Sequence, residues 1–151
     1  MKTITFERVD GWVRSTPLAV WGFLAAASVW VLRFNPTDRV ADPTGPCLWH
    51  ALTGINGPTC GGTRMFFYLI HGNLLLAAQM HLPALIGILY GLYVLVAWTS
   101  SWLFGKRLPV WKPGRSAIIG YITFFLIWSV VLRNLTIEPF AWFNIPNLDG
   151  I

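Results

Sequence analysis

The stretch with the most distinctive chemistry is Cys-Gly-Gly-Thr-Arg, which runs from Cys60 to Arg64. Two glycines before a capping threonine and an apolar run predict a turn that leads into a helix, whose free N–H groups attract anions. Because a cation in the first turn opposes the helix dipole, local helix stability does not account for Arg64. We therefore predict a site for an anion or an anionic lipid headgroup at Gly61, Gly62, Thr63 and Arg64. The alternative is that Arg64 only contacts lipid phosphate or loop carbonyls.

The two cysteines, Cys47 and Cys60, form no C-x-x-C pair, so the sequence indicates neither a zinc knuckle nor a thioredoxin-like dithiol. If both face an oxidising compartment, a disulfide between them would close segment 47–60 into a loop. The alternative is two free thiols that pack as small apolar residues. The sequence leaves both interpretations open.

The three histidines, His50, His71 and His81, do not combine with the cysteines in the spacing of a closed zinc site. An axial haem ligand needs no motif, so a redox, metal- or haem-binding membrane protein that uses Cys60 and His71 stays as an alternative. Interfacial histidines bonded to backbone or lipid are the simpler interpretation, and we expect no metal and no cofactor. The sequence contains no recognisable nucleophile, base and acid arrangement, so we also expect no catalytic residues.

The composition is that of a membrane protein. Of 151 residues, 55% are hydrophobic and 11% are charged, against about 25% charged residues in soluble domains. The mean hydropathy is +0.57. These values exclude a disordered chain and an ordinary soluble enzyme. The basic residues lie in short segments between apolar runs, which favours the lipid bilayer and other membrane proteins as partners and argues against nucleic acid.

The chain is predicted to be a single membrane domain, 1–151, of the all-α class with three transmembrane helices. The apolar runs 15–33, 82–104 and 116–133 are each long enough, or nearly so, to cross a hydrocarbon core of about 30 Å. The aromatic tail 136–151 is predicted to lie in the membrane interface.

Segment 35–81 separates the first two spans. Its second half predicts two short helices, Thr63–Ile70 and Leu74–His81, with Asn73 as the cap of the second. Neither is long enough to span, so we expect a short re-entrant or interfacial helical hairpin.

The basic residues predict the orientation. With the N-terminus in the cytoplasm, the inner side receives Lys2, Arg8, Arg14, Lys106, Arg107, Lys112 and Arg115. The outer side then receives Arg33, Arg39, Arg64 and Arg133. This arrangement places segment 35–81 and the C-terminus outside. Arg115 and Arg133, at the ends of the short third span, are expected to extend outward to the headgroups.

Gly87 and Gly91 form a G-x-x-x-G pattern in the second predicted span. In membrane helices this spacing lets two backbones approach closely. The pair is expected to pack either against a partner protein or against the other spans of the same chain.

The segment of about residues 46–85 resembles a bacterial domain-of-unknown-function family of small membrane proteins with a C-P-x-C-G-x-T-R motif. The resemblance is carried by Cys47, Thr53-Gly54, Pro58-Thr59-Cys60-Gly61-Gly62-Thr63-Arg64, His71-Gly72-Asn73, Ala77-Ala78 and His81-Leu82-Pro83. Gly57 departs from the pattern because it stands where the family usually has the first motif cysteine, and His81-Leu82-Pro83 replaces an Asn-Pro step. The resemblance implies a bacterial membrane location and no established activity.

These observations favour a non-catalytic accessory or assembly subunit of a larger bacterial membrane complex, located in the cytoplasmic (inner) membrane. Docking would use the spans and the outer hairpin. The alternatives are the redox, metal- or haem-binding protein described above and a stand-alone binder of anionic lipid headgroups through Arg64.

Overall fold

The computed structural model describes residues 16–36, 47–105 and 108–144. Within these ranges the regular structure is helical, without a β-strand. Three helices are long and apolar enough to cross a membrane: Pro17–Phe34, Leu74–Phe104 and Arg115–Asn134. The predicted all-α class is confirmed, and each predicted span corresponds to one of these helices. The predicted polar N-terminal segment, the loop 37–46 and the end of the tail, 145–151, lie outside the described residues.

Five α-helices follow one another along the described chain. They are α1 (Thr16–Phe34), α2 (Leu48–Thr53), α3 (Gly62–Ile70), α4 (Leu74–Phe104) and α5 (Arg115–Val130). Two short 3₁₀ turns, Leu132–Asn134 and Phe140–Phe143, complete the C-terminal part.

Helices α3 and α4 form the tightest packing unit. The turn between them uses Gly72 at φ +73°, a conformation that glycine adopts without a Cβ penalty. Asn73 then caps α4, because its Oδ1 accepts the N–H of Leu76 at 3.1 Å, as predicted. The two helices bury a small apolar core made of Met65, Ala77, Met80 and Leu85. Helix α1 packs against both of them.

Helix α4 is kinked at His81, whose backbone is extended at φ −164° and ψ 82°. The Nδ1 atom of His81 accepts the N–H of Ala84 at 3.3 Å, so this side chain caps the helical segment that follows. Pro83 suits that first turn, where its missing N–H has no helical partner to lose. The predicted division between a short helix Leu74–His81 and a span that begins at residue 82 falls at this kink, where the backbone of His81 is not helical.

Helix α5 runs antiparallel to α4. The Tyr121 hydroxyl donates to the carbonyl of Pro83 at 2.8 Å, near the start of α4. Further along α4, the Tyr90 hydroxyl donates to the carbonyl of Trp111 at 2.7 Å, in the connection before α5. Residues late in α4 contact the connection before α5, and residues early in α4 contact the middle of α5. The C-terminal end of α5 therefore lies near the kink at His81.

The two glycines of the G-x-x-x-G pattern have different surroundings. A Cβ on Gly87 would meet the hydroxyl of Tyr121, so this glycine serves packing between α4 and α5 within the chain. Gly91 is exposed, and a Cβ there would meet nothing within 4 Å among the described residues.

We expect Gly87→Ala to destabilise the protein because the new methyl group displaces the Tyr121 hydroxyl from the Pro83 carbonyl. The loss should be about 1 kcal/mol, the net worth of one hydrogen bond. Thermal unfolding in detergent micelles measures it. Gly91→Ala is the matched control and should leave the midpoint unchanged or slightly higher. Equal midpoints for the two variants would contradict the packing role of Gly87.

Candidate functional site

The loop before α3 is held at one end of the bundle by side chains from distant parts of the chain. The Asn134 side chain pairs with the backbone of Asn56, accepting its N–H at 2.8 Å and donating to its carbonyl at 2.9 Å. The Asn56 side chain in turn donates to Oδ1 of Asn144 at 3.0 Å. These bonds fix the loop against the end of α5 and the C-terminal 3₁₀ turn.

Cys47, the N-cap residue of α2, meets Cys60 of this loop. The Cys60 thiol donates to the sulfur of Cys47, with the two sulfurs 2.6 Å apart. The N–H of Gly57 donates to the Cys60 sulfur at 3.2 Å, and the Thr59 hydroxyl lies 3.4 Å from the Cys47 sulfur. Both cysteines are free thiols in this structure, with Cys60 buried and Cys47 partly exposed. The two side chains lie together, and the disulfide between them that the sequence analysis left open stays a prediction.

The two thiols differ in acidity. Partial burial acts to raise the pKa of the Cys47 thiol, but hydrogen bonds from Cys60, Thr59 and the backbone outweigh burial and lower this pKa below its ordinary value. Burial raises the pKa of the Cys60 thiol, and its hydrogen bond to Cys47 raises it further. The more exposed Cys47 is therefore the more acidic thiol of the pair.

Arg133 lies beneath the loop, at the end of α5, with 0% of its surface exposed. Its Nη1 donates to the carbonyl of Cys60 at 2.6 Å, and its Nε donates to the carbonyl of Phe143 at 3.3 Å. Nη2 is buried and has no hydrogen-bond partner within the described part of the chain. The expectation that Arg133 extends outward to the headgroups is wrong, because two backbone carbonyls bind the guanidinium inside the protein.

His81 also binds the loop. Because its Nδ1 accepts from Ala84, its Nε2 carries the proton and donates to the carbonyl of Pro58 at 3.0 Å. The buried Ser129 hydroxyl lies 3.5 Å from the same Nε2, and the ring stacks on Phe125. His81 is thus a structural contact between α4, α5 and the loop.

The predicted anion-binding residues surround the N-terminus of α3. Gly61, at φ +78°, is the N-cap residue, and no side chain caps the helix. The predicted capping role of Thr63 is therefore wrong, since Thr63 lies inside α3. All four residues are half-buried: Gly61, Gly62, Thr63 and Arg64. The positive charges of Arg64 and Arg133 are close enough to influence each other.

The histidines do not converge on the thiol pair as one site. His71 follows the end of α3, whereas Cys60 precedes its start, about 13 Å away along a helix of nine residues. The His71 Nδ1 lies 2.8 Å from the carbonyl of Phe67 on its own helix. His50 lies on α2, where its Nδ1 is buried without a hydrogen-bond partner in the described structure. In residues 16–36, 47–105 and 108–144, no group of three His, Cys, Asp or Glu side chains is arranged to hold a metal ion.

Asn56, Arg133 and Asn134 are the site residues that the sequence analysis missed. Asn56 lies 78 residues from Asn134, so no local pattern connects them. The available signal is the consecutive Arg133-Asn134 pair directly after an apolar run, which places two strong hydrogen-bonding side chains at one span end.

Gly57, where the resemblance described above implies a cysteine, is buried beneath the ring of Trp49. A Cβ at Gly57 would overlap atoms of that ring. A cysteine at this position therefore requires Trp49 to move.

The comparison with protein families covers this site in part. Residues 47–95 match the model of a family described as protein of unknown function (DUF2752). The matched segment holds both cysteines, α2, α3 and most of α4, while Arg133 and Asn134 lie beyond it. No curated protein and no solved structure gives a significant match.

We expect Asn134→Ala to loosen the loop around Cys60 because it leaves the N–H and carbonyl of Asn56 unpaired in a buried setting. The cost should be about 2–3 kcal/mol. Hydrogen exchange of the amides at residues 55–61 measures the local effect and should become faster. The control Asn73→Ala removes the exposed cap of α4, costs about 1 kcal/mol, and should leave exchange in this loop unchanged. Unchanged loop exchange in Asn134→Ala would contradict the role of Asn134.

Proposed function

We propose that this protein is a membrane thiol–disulfide protein in which Cys47 and Cys60 form a reversible disulfide. The observation that carries the proposal is the contact between two sulfurs 2.6 Å apart, one partly exposed and the other buried. Exchange between thiols and disulfides needs an accessible thiolate and a second thiol within reach. The lowered pKa of Cys47 and the raised pKa of Cys60 match these two roles.

In the proposed reaction, the Cys47 thiolate attacks a disulfide R–S–S–R′ of a protein or small-molecule substrate. A mixed disulfide forms between Cys47 and R–S, and R′–S⁻ leaves. The Cys60 thiol then loses its proton and attacks the Cys47 sulfur, which forms the Cys47–Cys60 disulfide and releases R–S⁻. Two electrons pass from the cysteine pair to the substrate disulfide, and the reverse sequence oxidises a substrate dithiol.

The location proposed for this chemistry is the outer face of a bacterial cytoplasmic membrane. The positive-inside rule supports an inner N-terminus and an outer loop 47–60, where an oxidising compartment sustains disulfides. We further propose that α3 and the start of α4 form an interfacial hairpin, since α3 has nine residues and is too short to span.

The test uses the full chain in lipid nanodiscs with glutathione disulfide as the probe. Cys60→Ser should trap a glutathione adduct on Cys47, because no second thiol resolves it, whereas the wild type should release glutathione and form the internal disulfide. Cys47→Ser is the matched control and should react about tenfold more slowly at Cys60, whose thiol is buried and less acidic. Adduct formation by Cys60→Ser should slow as the pH falls through the pKa of Cys47.

Two results would overturn the proposal. The first is equal reactivity of the two single variants. The second is a wild-type disulfide with a reduction potential below about −300 mV, which is typical of a structural disulfide.

A second candidate function is an accessory or assembly subunit of a larger membrane complex. The open surface at Gly91 supports it, because Gly87 of the same G-x-x-x-G pattern is already covered by Tyr121. A partner helix packed at Gly91 would bring its backbone close to α4. This function is compatible with the thiol chemistry, since the cysteine pair lies at the end of the bundle.

We expect Gly91→Leu to remove a stoichiometric membrane partner that the tagged wild type retains in mild detergent, because the larger side chain blocks close helix approach. The control is Gly120→Leu on α5, where a Cβ also meets nothing within 4 Å among the described residues. Mass spectrometry of the purified material identifies the partner. Retention of the same partner by Gly91→Leu, or a partner-free wild type, would exclude docking at this surface.

A further inference from the structure

Arg133 is a fully buried positive charge that has no acidic partner in the described structure. Within residues 16–36, 47–105 and 108–144 the one acidic side chain is Glu138, which is exposed. The guanidinium contacts backbone carbonyls instead, at Cys60 and Phe143. Carbonyls satisfy donors but carry no net charge, and a buried charge without a counter-ion is costly.

The guanidinium contacts the backbone of the cysteine pair. Nη1 of Arg133 lies 2.6 Å from the carbonyl of Cys60, the residue whose own thiol donates to Cys47. The positive charge of Arg133 favours the thiolate form of Cys60. If one of the thiols ionises, its negative charge is opposite to that of the guanidinium.

We infer that Arg133 is the counter-ion of the thiolate in the reduced protein and thereby sets the redox equilibrium of the Cys47–Cys60 pair. The inference rests on the proposed thiol–disulfide function and assigns a positioning residue to it. The charge pair exists only in the reduced state, because a disulfide is neutral and leaves the guanidinium without an anion. Arg133 therefore favours the reduced pair and makes the disulfide a stronger oxidant.

The other charged and titratable groups near the pair do not take over this role. Arg64 on α3 is cationic and repels Arg133. His81 on α4 is held as the neutral tautomer by its bonds to Ala84 and Pro58. His50 on α2 supplies an imidazole and no negative charge. None of these three groups supplies a negative charge, so the thiolate is the anion that can pair with Arg133.

The reduced and oxidised forms are compared by equilibrating the full chain in nanodiscs with reduced and oxidised glutathione. The key variant is Arg133→Gln, which removes the charge but keeps an amide donor for the Cys60 carbonyl. At about pH 9, its equilibrium constant for disulfide formation should rise about tenfold, which corresponds to a potential lower by about 30 mV. The pKa of Cys47, read from the pH dependence of its alkylation, should rise by about one unit.

The pH dependence separates this role from a structural one. The difference between wild type and Arg133→Gln should shrink as the pH falls below the pKa of Cys47, because both proteins then hold neutral thiols. Arg133→Lys keeps the charge and should stay within about threefold of the wild type. The control Arg115→Gln removes an exposed cation at the other end of α5 and should change neither quantity.

A folded Arg133→Gln variant with an unchanged equilibrium and an unchanged Cys47 pKa would overturn the inference. If the Gln variant does not fold, the Arg133→Lys variant provides the test. An equilibrium constant for disulfide formation within about threefold of the wild-type value supports the role of the charge, and a tenfold shift overturns it. A wild type that exchanges no disulfide with glutathione refutes the proposed function itself. Exchange by the wild type without a shift in the variants refutes only the role of Arg133.

Discussion

The buried guanidinium of Arg133 is the constraint on which the kinked end of the bundle depends. Its two carbonyl contacts come from opposite directions along the chain, one from the loop before α3 and one from the C-terminal 3₁₀ turn. Removing a partner from a buried charge typically costs about 3–5 kcal/mol. The loop and the C-terminal turn are therefore both held by a buried guanidinium whose contacts cost free energy to break. Helix α5 must end where the guanidinium can reach both carbonyls.

Polar contacts specify this fold because apolar burial alone does not. Lipid chains are as apolar as leucine, so the spans gain little by packing on one another rather than on lipid. The described structure instead places its buried polar side chains, His81, Ser129, Arg133 and Asn56, around one short loop. His81 links α4 to that loop through Pro58, and Asn134 links α5 to it through Asn56. These directional bonds select one arrangement of helices among many of similar apolar contact.

The sequence predicts the helices well because their length and termini are local properties. The predicted spans 15–33 and 116–133 correspond to the helices Pro17–Phe34 and Arg115–Asn134. The predicted start at 82 coincides with the kink of α4, where His81 caps the following segment. The burial of Arg133 was not predictable in the same way. Rules for charges at span ends assume that headgroups are the available partner, and here a carbonyl 73 residues away takes that place. The candidate anion-binding residues 61–64 lie at a helix N-terminus as predicted, but the guanidinium that binds the neighbouring Cys60 carbonyl comes from 73 residues further along the chain.

The surroundings of Gly57 bear on the proposed thiol chemistry. Its backbone N–H donates to the Cys60 sulfur at 3.2 Å, and the space of a side chain is filled by the ring of Trp49. Because residue 57 is a glycine, its backbone can lie close to the Cys60 thiol while the Trp49 ring packs against it. The loop thus holds the Cys47–Cys60 pair without a third cysteine, and Cys47 is the more exposed of the two. The proposed thiol chemistry therefore depends on two sulfurs, one helix end and one buried charge, and needs no C-P-x-C motif.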